Sequence, residues 1–226
     1  MVFNQLSTDI QITWHISEGD VVSSDTLLCE LEGPARELLT GERTAMNFLQ
    51  TLSGTASAAQ RFAAAIADTS TVILDTRKTL PGLRQAQKYA VKTGGAENHR
   101  IGLYDGILIK ENHILAAGGI LHAVQAAIHE GSSALIQVEV ESLEEVRAAI
   151  DAGADRLLLD NFGPDDMRSA VELRNELNTD VGLEASGNIT LANVHEVAAT
   201  GVDFISVGAL TKDVRAIDLS MRFEML

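Results

Sequence analysis

The sequence predicts an α/β fold, an incomplete six-stranded parallel α/β barrel preceded by a small β module, and three observations predict it. Short β-rich runs and helical stretches alternate six times between residues 71 and 210, a rhythm that builds a parallel sheet with right-handed crossovers. Polar residues gather where each β-rich run ends. The chain of 226 residues, 46% apolar and 22% charged, has enough apolar material for one or two cored domains. A complete eight-unit barrel usually takes about 200 to 250 residues, more than the repeating part offers. Six units fit better, with an open doubly wound sheet as the alternative.

The elements follow in order. Residues 9–32 alternate apolar and polar positions around the turn signals Glu18-Gly19-Asp20 and Ser23-Ser24-Asp25, which predicts short antiparallel strands. From Gly41 to Asp68 the pattern becomes helical: Ala45, Phe48, Leu49, Leu52, Ala56 and Ala59 keep three-to-four spacing, and Gly54 predicts two helices or one kinked helix. Strands are expected at Thr71–Asp75, Gly106–Lys110, Leu135–Glu139, Arg156–Asp160, Val181–Glu184 and Phe204–Val207. Helices are expected at Ala116–Glu130, Leu143–Ala152, Asp165–Asn178 and Leu191–Thr200, with Gly131, Gly153 and Gly201 at C-cap positions.

Composition narrows the function. Cys29 is the single cysteine, which leaves no disulfide framework or zinc knuckle and points to a reducing cytoplasm. No apolar run has the length of a membrane span, and the N-terminus lacks a basic region followed by an apolar stretch, so neither membrane insertion nor secretion is expected. The net charge of −15 argues against a sequence-independent grip on nucleic acid. Between Asp75 and His113, however, seven Lys or Arg face four acids, a local +3. A basic island in an acidic chain suits a small anionic ligand.

In parallel α/β folds the working groups collect at the C-terminal ends of the strands. Here those ends are Asp75-Thr76-Arg77-Lys78, Lys110-Glu111-Asn112-His113, Glu139-Val140-Glu141, Asp160-Asn161, Glu184-Ala185-Ser186-Gly187-Asn188 and Gly208-Ala209-Leu210-Thr211, while the strand interiors read as almost purely apolar. Arg77, Lys78, Lys110 and the loop pair His99-Arg100 crowd positive charge that a multiply charged anion would relieve. Lys88 and Lys92, four apart on a helical stretch, are expected on a solvated face. Glu139 and Glu141 share strand parity, and Asp160 ends the next strand, so carboxylates can converge on a divalent cation or on sugar hydroxyls. Asp160-Asn161 has a blander reading as a helix N-cap. The turns at Ser186-Gly187-Asn188 and at Gly208 can offer backbone amides to phosphate, or can simply be tight turns.

Taken together, these segments resemble the quinolinate phosphoribosyltransferase family over nearly the full chain, with Gly41-Glu42-Arg43-Thr44, Asn98-His99-Arg100 and Leu108-Ile109-Lys110-Glu111-Asn112-His113 as further matching motifs. The resemblance implies a magnesium-dependent reaction of quinolinate with 5-phosphoribosyl 1-pyrophosphate, giving nicotinate mononucleotide, pyrophosphate and carbon dioxide. It implies quinolinate binding by Arg77, His99, Arg100 and Lys110, with Arg43 supplied by the partner subunit of a homodimer. Lys78 and Lys110 would also touch the donor, Glu139 and Asp160 would hold ribose hydroxyls and Mg2+, and Ser186, Gly187, Asn188 and Gly208 would take phosphate. It further implies a partial, N-terminally truncated α/β sandwich over residues 1–52, a barrel over 53–210 and a segment returning to the sandwich over 211–226.

Two rivals remain. Residues 14–32 resemble half of a biotinyl or lipoyl carrier module, but no lysine precedes Lys78 to carry the group. A paralogous phosphoribosyltransferase acting on a monocarboxylate would not need Arg77, His99, Arg100 and Lys110 together.

Overall fold

The computed structural model describes residues 2–131 and 134–224. After a short 3-10 turn at Phe3–Gln5, strands β1 (Gln11–Trp14) and β2 (Cys29–Glu32) pair antiparallel, with Gln11 opposite Glu32 and Trp14 opposite Cys29. Phe3, Ile10 and Leu38 form a small buried cluster, against which Ile12, Leu31 and Ala45 pack. It fastens this hairpin to helix α1 (Ala35–Ala65).

Helix α1 runs unbroken for 31 residues, so Gly54 is neither a break nor the start of a second helix. Its role is close approach. A Cβ there would lie 2.3 Å from the Arg215 carbonyl oxygen, and the adjoining Ile217 N–H donates to the Gln50 carbonyl at 3.1 Å. The segment after residue 212 therefore lies directly on α1. The helix also crosses the position between residues 52 and 53 where the sequence divides the chain.

Six parallel strands follow: β3 (Val72–Leu74), β4 (Ile107–Ile109), β5 (Ile136–Val140), β6 (Arg156–Asp160), β7 (Gly182–Ser186) and β8 (Phe204–Ser206). Their order in the sheet is β3-β8-β7-β6-β5-β4. Every predicted strand is present within two residues of its expected ends. Besides its pairing with β8, strand β3 is bridged by Glu97: the Glu97 N–H donates to the Ile73 carbonyl at 2.8 Å, and the Asp75 N–H donates to the Glu97 carbonyl at 3.1 Å.

The helices follow the predicted plan with three differences. The stretch read as 116–130 is two helices, α3 (Glu111–Ala117) and α4 (Ile120–His129), parted by Gly118-Gly119. Helix α2 (Arg84–Thr93) buries Gln87, Lys88, Ala90 and Val91. Helices α5 (Leu143–Asp151) and α6 (Pro164–Glu176) match expectation, whereas α7 is only Val194–Ala198, because residues 191–193 form a turn. Helix α8 (Ala209–Lys212) closes the series. Gly131, Gly153 and Gly201 take the positive φ expected just past helix ends.

The sheet's two faces differ in kind. Ile73, Ile109, Val138, Val140, Leu157, Leu159, Leu183, Ala185 and Ile205 are buried in the main core cluster. Alternate residues turn the other way, and there the strand interiors carry Gln137, Glu184 and Ser206, all buried. The expectation of purely apolar interiors holds for one face only. Register sets Glu139, Leu158, Glu184 and Phe204 at one level on that second face, with Asp160 beside Ser186 one step higher.

Replacing Gly54 by Ala should favour an isolated helix by about 1 kcal/mol. In this protein the Arg215 carbonyl reverses the sign, and Gly54→Ala should destabilise by about 1–3 kcal/mol. Urea unfolding with an unchanged m-value checks this; a raised midpoint would mean that the C-terminal segment does not hold its place on α1.

Candidate active site

The polar groups collect at the C-terminal rim of the sheet, and a buried ion pair builds its first corner. Asp75, which follows β3, is fully buried; its Oδ1 accepts from Lys88 Nζ at 2.5 Å and from the His99 N–H at 2.9 Å, and its Oδ2 accepts from Asn98 Nδ2 at 2.8 Å. Lys88 Nζ also donates to the His99 carbonyl at 2.8 Å. Burial pushes the Asp75 carboxyl above its ordinary range, and Lys88, the His99 amide and Asn98 oppose that push. Lys88 is thus no solvated residue, because the buried face of α2 carries it to Asp75. Lys92 is exposed as expected, 3.3 Å from Glu97.

This corner presents Arg77, Lys78 and Arg100. Among the described residues none of the three has an acid within 4.0 Å. Arg100 donates from its guanidinium to the Gly106 carbonyl at 2.8 Å. Burial, and next the charge of Arg77, pull its guanidinium below the ordinary value, against a weaker opposing pull from Asp105. The two arginines therefore repel each other at the same rim. Arg84 ties the adjoining loops together, donating to the Arg77 carbonyl at 3.1 Å, the Ile101 carbonyl at 3.2 Å and Thr79 Oγ1 at 3.3 Å.

The acids come next around the rim. Lys110 Nζ donates to Glu139 Oε2 at 2.6 Å. Burial raises the Glu139 carboxyl, Lys110 pulls it down, and the Asp160 charge pushes it up again, so the two carboxylates sense each other across neighbouring strands. Asn161 Nδ2 steadies Asp160 by donating to its Oδ2 at 3.1 Å. Helix α6 is capped at Gly163, so neither Asp160 nor Asn161 serves as its N-cap. Glu141 lies beyond the end of β5, exposed, with its N–H bonded to Glu145 Oε2 at 2.8 Å. It leaves the group that could share a cation.

The last arc is made of backbone turns. Gly187 has φ +102°, and a Cβ on it would meet Asn161 Oδ1 at 2.2 Å, so the Ser186-Gly187-Asn188 turn requires glycine where it presses on the Asp160-Asn161 corner. Gly208 has an ordinary φ of −64°. Its missing side chain faces Lys78 Cδ, Lys212 Cε and Thr76 Oγ1, at 3.5, 3.8 and 3.8 Å from where a Cβ would sit. Thr211 Oγ1 donates to the Lys78 carbonyl at 2.8 Å, and Gln87 Nε2 donates to the Thr211 carbonyl at 2.9 Å, joining this arc to the first corner. Arg43 stands apart on an exposed part of α1.

Several of these groups are not marked by the sequence motifs. Lys212, beside Gly208, lies past the Gly208-Ala209-Leu210-Thr211 turn. The spacing of Lys88 from Lys92 hides its buried role. Glu184 and Gln137 read as a strand-end acid and a neutral residue, although a charge flanked by Leu183 and Ala185 within a strand is itself a signal of a buried polar site. Glu184 is fully buried. Burial alone would raise its pKa, but His99, Ser206 and Gln137 outweigh that and hold it below the ordinary range. His99, expected as an open cation, has a side chain only 12% exposed.

Residues 1–53 match the family description "Quinolinate phosphoribosyl transferase, N-terminal domain", and residues 55–222 match "Quinolinate phosphoribosyl transferase, C-terminal domain". A curated relative from Bacillus subtilis (strain 168), described as a probable nicotinate-nucleotide pyrophosphorylase [carboxylating], is 44% identical over 220 residues, covering 97% of this chain and 75% of the relative. The solved nicotinate-nucleotide pyrophosphorylase from Francisella tularensis superposes with a TM-score of 0.93 at 51% identity, covering 97% of this chain and 77% of that one. NadC from Streptococcus pyogenes gives a TM-score of 0.92 at 37% identity, covering 98% and 78%.

Substituting Lys88 by Met should strand the Asp75 carboxylate without its cation and cost about 3–5 kcal/mol of stability. Chemical denaturation checks this, and a loss below about 1 kcal/mol would mean that the pair behaves as an exposed one.

Proposed function

We infer the reaction from one premise: the chain belongs to the quinolinate phosphoribosyl transferase family, both of whose domain descriptions it matches. It is a phosphoribosyltransferase of NAD biosynthesis, joining quinolinate to the ribose of 5-phosphoribosyl 1-pyrophosphate with loss of pyrophosphate and carbon dioxide. The observation that carries this reading to the residues is that Arg77 and Arg100 share a rim where, among the described residues, neither has an acid within 4.0 Å. A dicarboxylate neutralises both at once, and guanidinium forks suit carboxylates in a bidentate way.

Quinolinate is accordingly assigned to Arg77, Arg100 and Lys110, with His99 behind Arg100. Lys78 and Lys110 reach the donor, and the Ser186-Gly187-Asn188 and Gly208 turns, flanked by Lys78, receive its phosphates. Glu139 and Asp160 bind the ribose hydroxyls and place negative charge beside the carbon that turns cationic as pyrophosphate departs. The ring nitrogen attacks that carbon, and the ribosylated ring is positively charged. Loss of the adjacent carboxylate as carbon dioxide then leaves an electron pair that the cationic ring stabilises and a proton quenches. Holding the two reactants in line is the main work of the rim.

For Mg2+, two carboxylates on adjacent strands, with the charge of Asp160 pushing the Glu139 carboxyl up, suit a hard divalent ion, which typically keeps waters and takes substrate phosphates as its other ligands. Glu139 and Asp160 would hold it, and it would neutralise charge on the leaving diphosphate. The sheet is read as an incomplete barrel; its outer strands β3 and β4, with Glu97 bridging to β3, support that. A homodimer that exchanges Arg43 is supported by the exposure of Arg43 on the same helix as Leu39 and Phe48, which are 56% and 47% exposed. Among the described residues no helix is long and apolar enough to cross a membrane.

Carbon dioxide release from labelled quinolinate, dependent on the sugar donor, tests the whole reading, and its absence would overturn it. Arg77→Ala and Arg100→Ala should each weaken quinolinate binding by about 1.5–3 kcal/mol, the usual worth of a charged hydrogen bond, while donor affinity changes little; calorimetry separates the two. Glu139→Gln and Asp160→Asn should lower turnover by roughly 100-fold or more with quinolinate affinity nearly intact. Unchanged turnover would take them out of the mechanism.

A further inference from the structure

Beneath the rim lies a buried polar chain that the reaction as described does not use. Glu184 accepts from Ser206 Oγ, and its Oε2 accepts from Gln137 Nε2 at 2.8 Å. His99 Nε2 lies 3.4 Å from the same oxygen and Arg156 NH1 3.5 Å, with the Arg156 guanidinium stacked over the Phe204 ring. Gln137 Oε1 in turn faces His99 Nε2 at 2.9 Å, and the Arg100 N–H donates to His99 Nδ1 at 2.8 Å.

These bonds have one consistent polarity. A carboxylate only accepts, so it fixes the NH2 end of Gln137 toward itself and the carbonyl end toward His99. The proton facing that carbonyl must sit on Nε2, which leaves Nδ1 as the lone pair that receives the Arg100 amide. We propose that Glu184 is a positioning residue for quinolinate: through Gln137, and by its own approach to Nε2, it fixes His99 as the neutral, Nε2-protonated tautomer, and His99 thereby fixes the backbone that aims Arg100 at the substrate. The sheet places Glu184 level with Glu139 on the same face, so one layer holds the group that acts and the group that aims. The proposal rests on the reading that Arg100 binds quinolinate, but the relay itself can be observed without substrate.

The test is 15N NMR of histidine-labelled enzyme at neutral pH, with the His99 resonances assigned among the six histidines by their loss in His99→Asn. The expected result is a neutral ring protonated on Nε2. In Glu184→Gln the Gln137 amide loses its forced orientation, so the His99 resonances should move toward the other tautomer. KM for quinolinate should then rise about tenfold or more, as when an outer partner of a ligating histidine is lost, with KM for the sugar donor unchanged. A wild-type His99 that is an imidazolium or is protonated on Nδ1 overturns the proposal, as do unmoved resonances in Glu184→Gln or an equal rise in both KM values. Should Glu184→Gln fail to fold, Gln137→Leu breaks the same relay above an intact Glu184, and the same readings decide. Wild-type enzyme that shows the expected tautomer but releases no carbon dioxide from quinolinate would overturn the assigned reaction and leave the relay standing.

Discussion

The Asp75 carboxylate is the constraint on which the site depends. It ends the first strand of the sheet, and within one buried volume it collects the ammonium of α2, the side chain of Asn98 and the backbone of His99. A carboxylate in such a place is costly unless it is paired and fully hydrogen-bonded, and here the donors come from α2 and from the Asn98-His99 loop, neither of them from β3 itself. Satisfying that one group therefore orders three segments together. Arg77 and Arg100 come to the same rim as a result, with no acid within 4.0 Å of either among the described residues. Charges fixed in advance in this way need little rearrangement to meet an anion.

How much of this is legible in the sequence depends on which period is being read. The six strands stand out because each is a short β-branched or leucine-rich run closed by polar residues, and the register of one strand with the next follows from topology. The helices are legible where glycine marks their ends, and less so where glycine has another purpose. Gly54 reads as a break and is instead the place where a distant carbonyl presses on the helix; only the tertiary neighbour gives it meaning. Lys88 shows the converse. Spacing alone groups it with Lys92, whereas α2 is amphipathic with Lys88 on its inner face, and no one-dimensional signal reveals a partner thirteen residues away.

The rim cations and acids are legible as types and as places, because strand ends are recognisable and open on one side. Their assignment within the rim is less so. Glu139 and Glu141 share parity, but β5 stops at Val140 and the chain turns away, which separates them. Glu184 and Gln137 sit on the face that alternation marks as non-core, yet they are buried, and the ring of His99, from a loop outside the sheet, lies against both. A strongly acidic chain with a basic arc also has a physical logic: the surrounding negative field repels anions in general, and only a ligand able to bind several cations at once gains from entering.

The order of the sheet has a consequence for how the molecule comes into being. Strand β3, in the first third of the sequence, is hydrogen-bonded along its length to β8, the last strand of the sheet in chain order. During translation the Asp75 corner thus emerges long before the neighbour that completes it, and it must wait as an unpaired edge while more than a hundred residues follow. Gly208 meets Lys78 only once β8 has been made, so the two sides of this corner stay apart in nascent chains, and any agent that shields β3 in the interval guards the yield of finished enzyme.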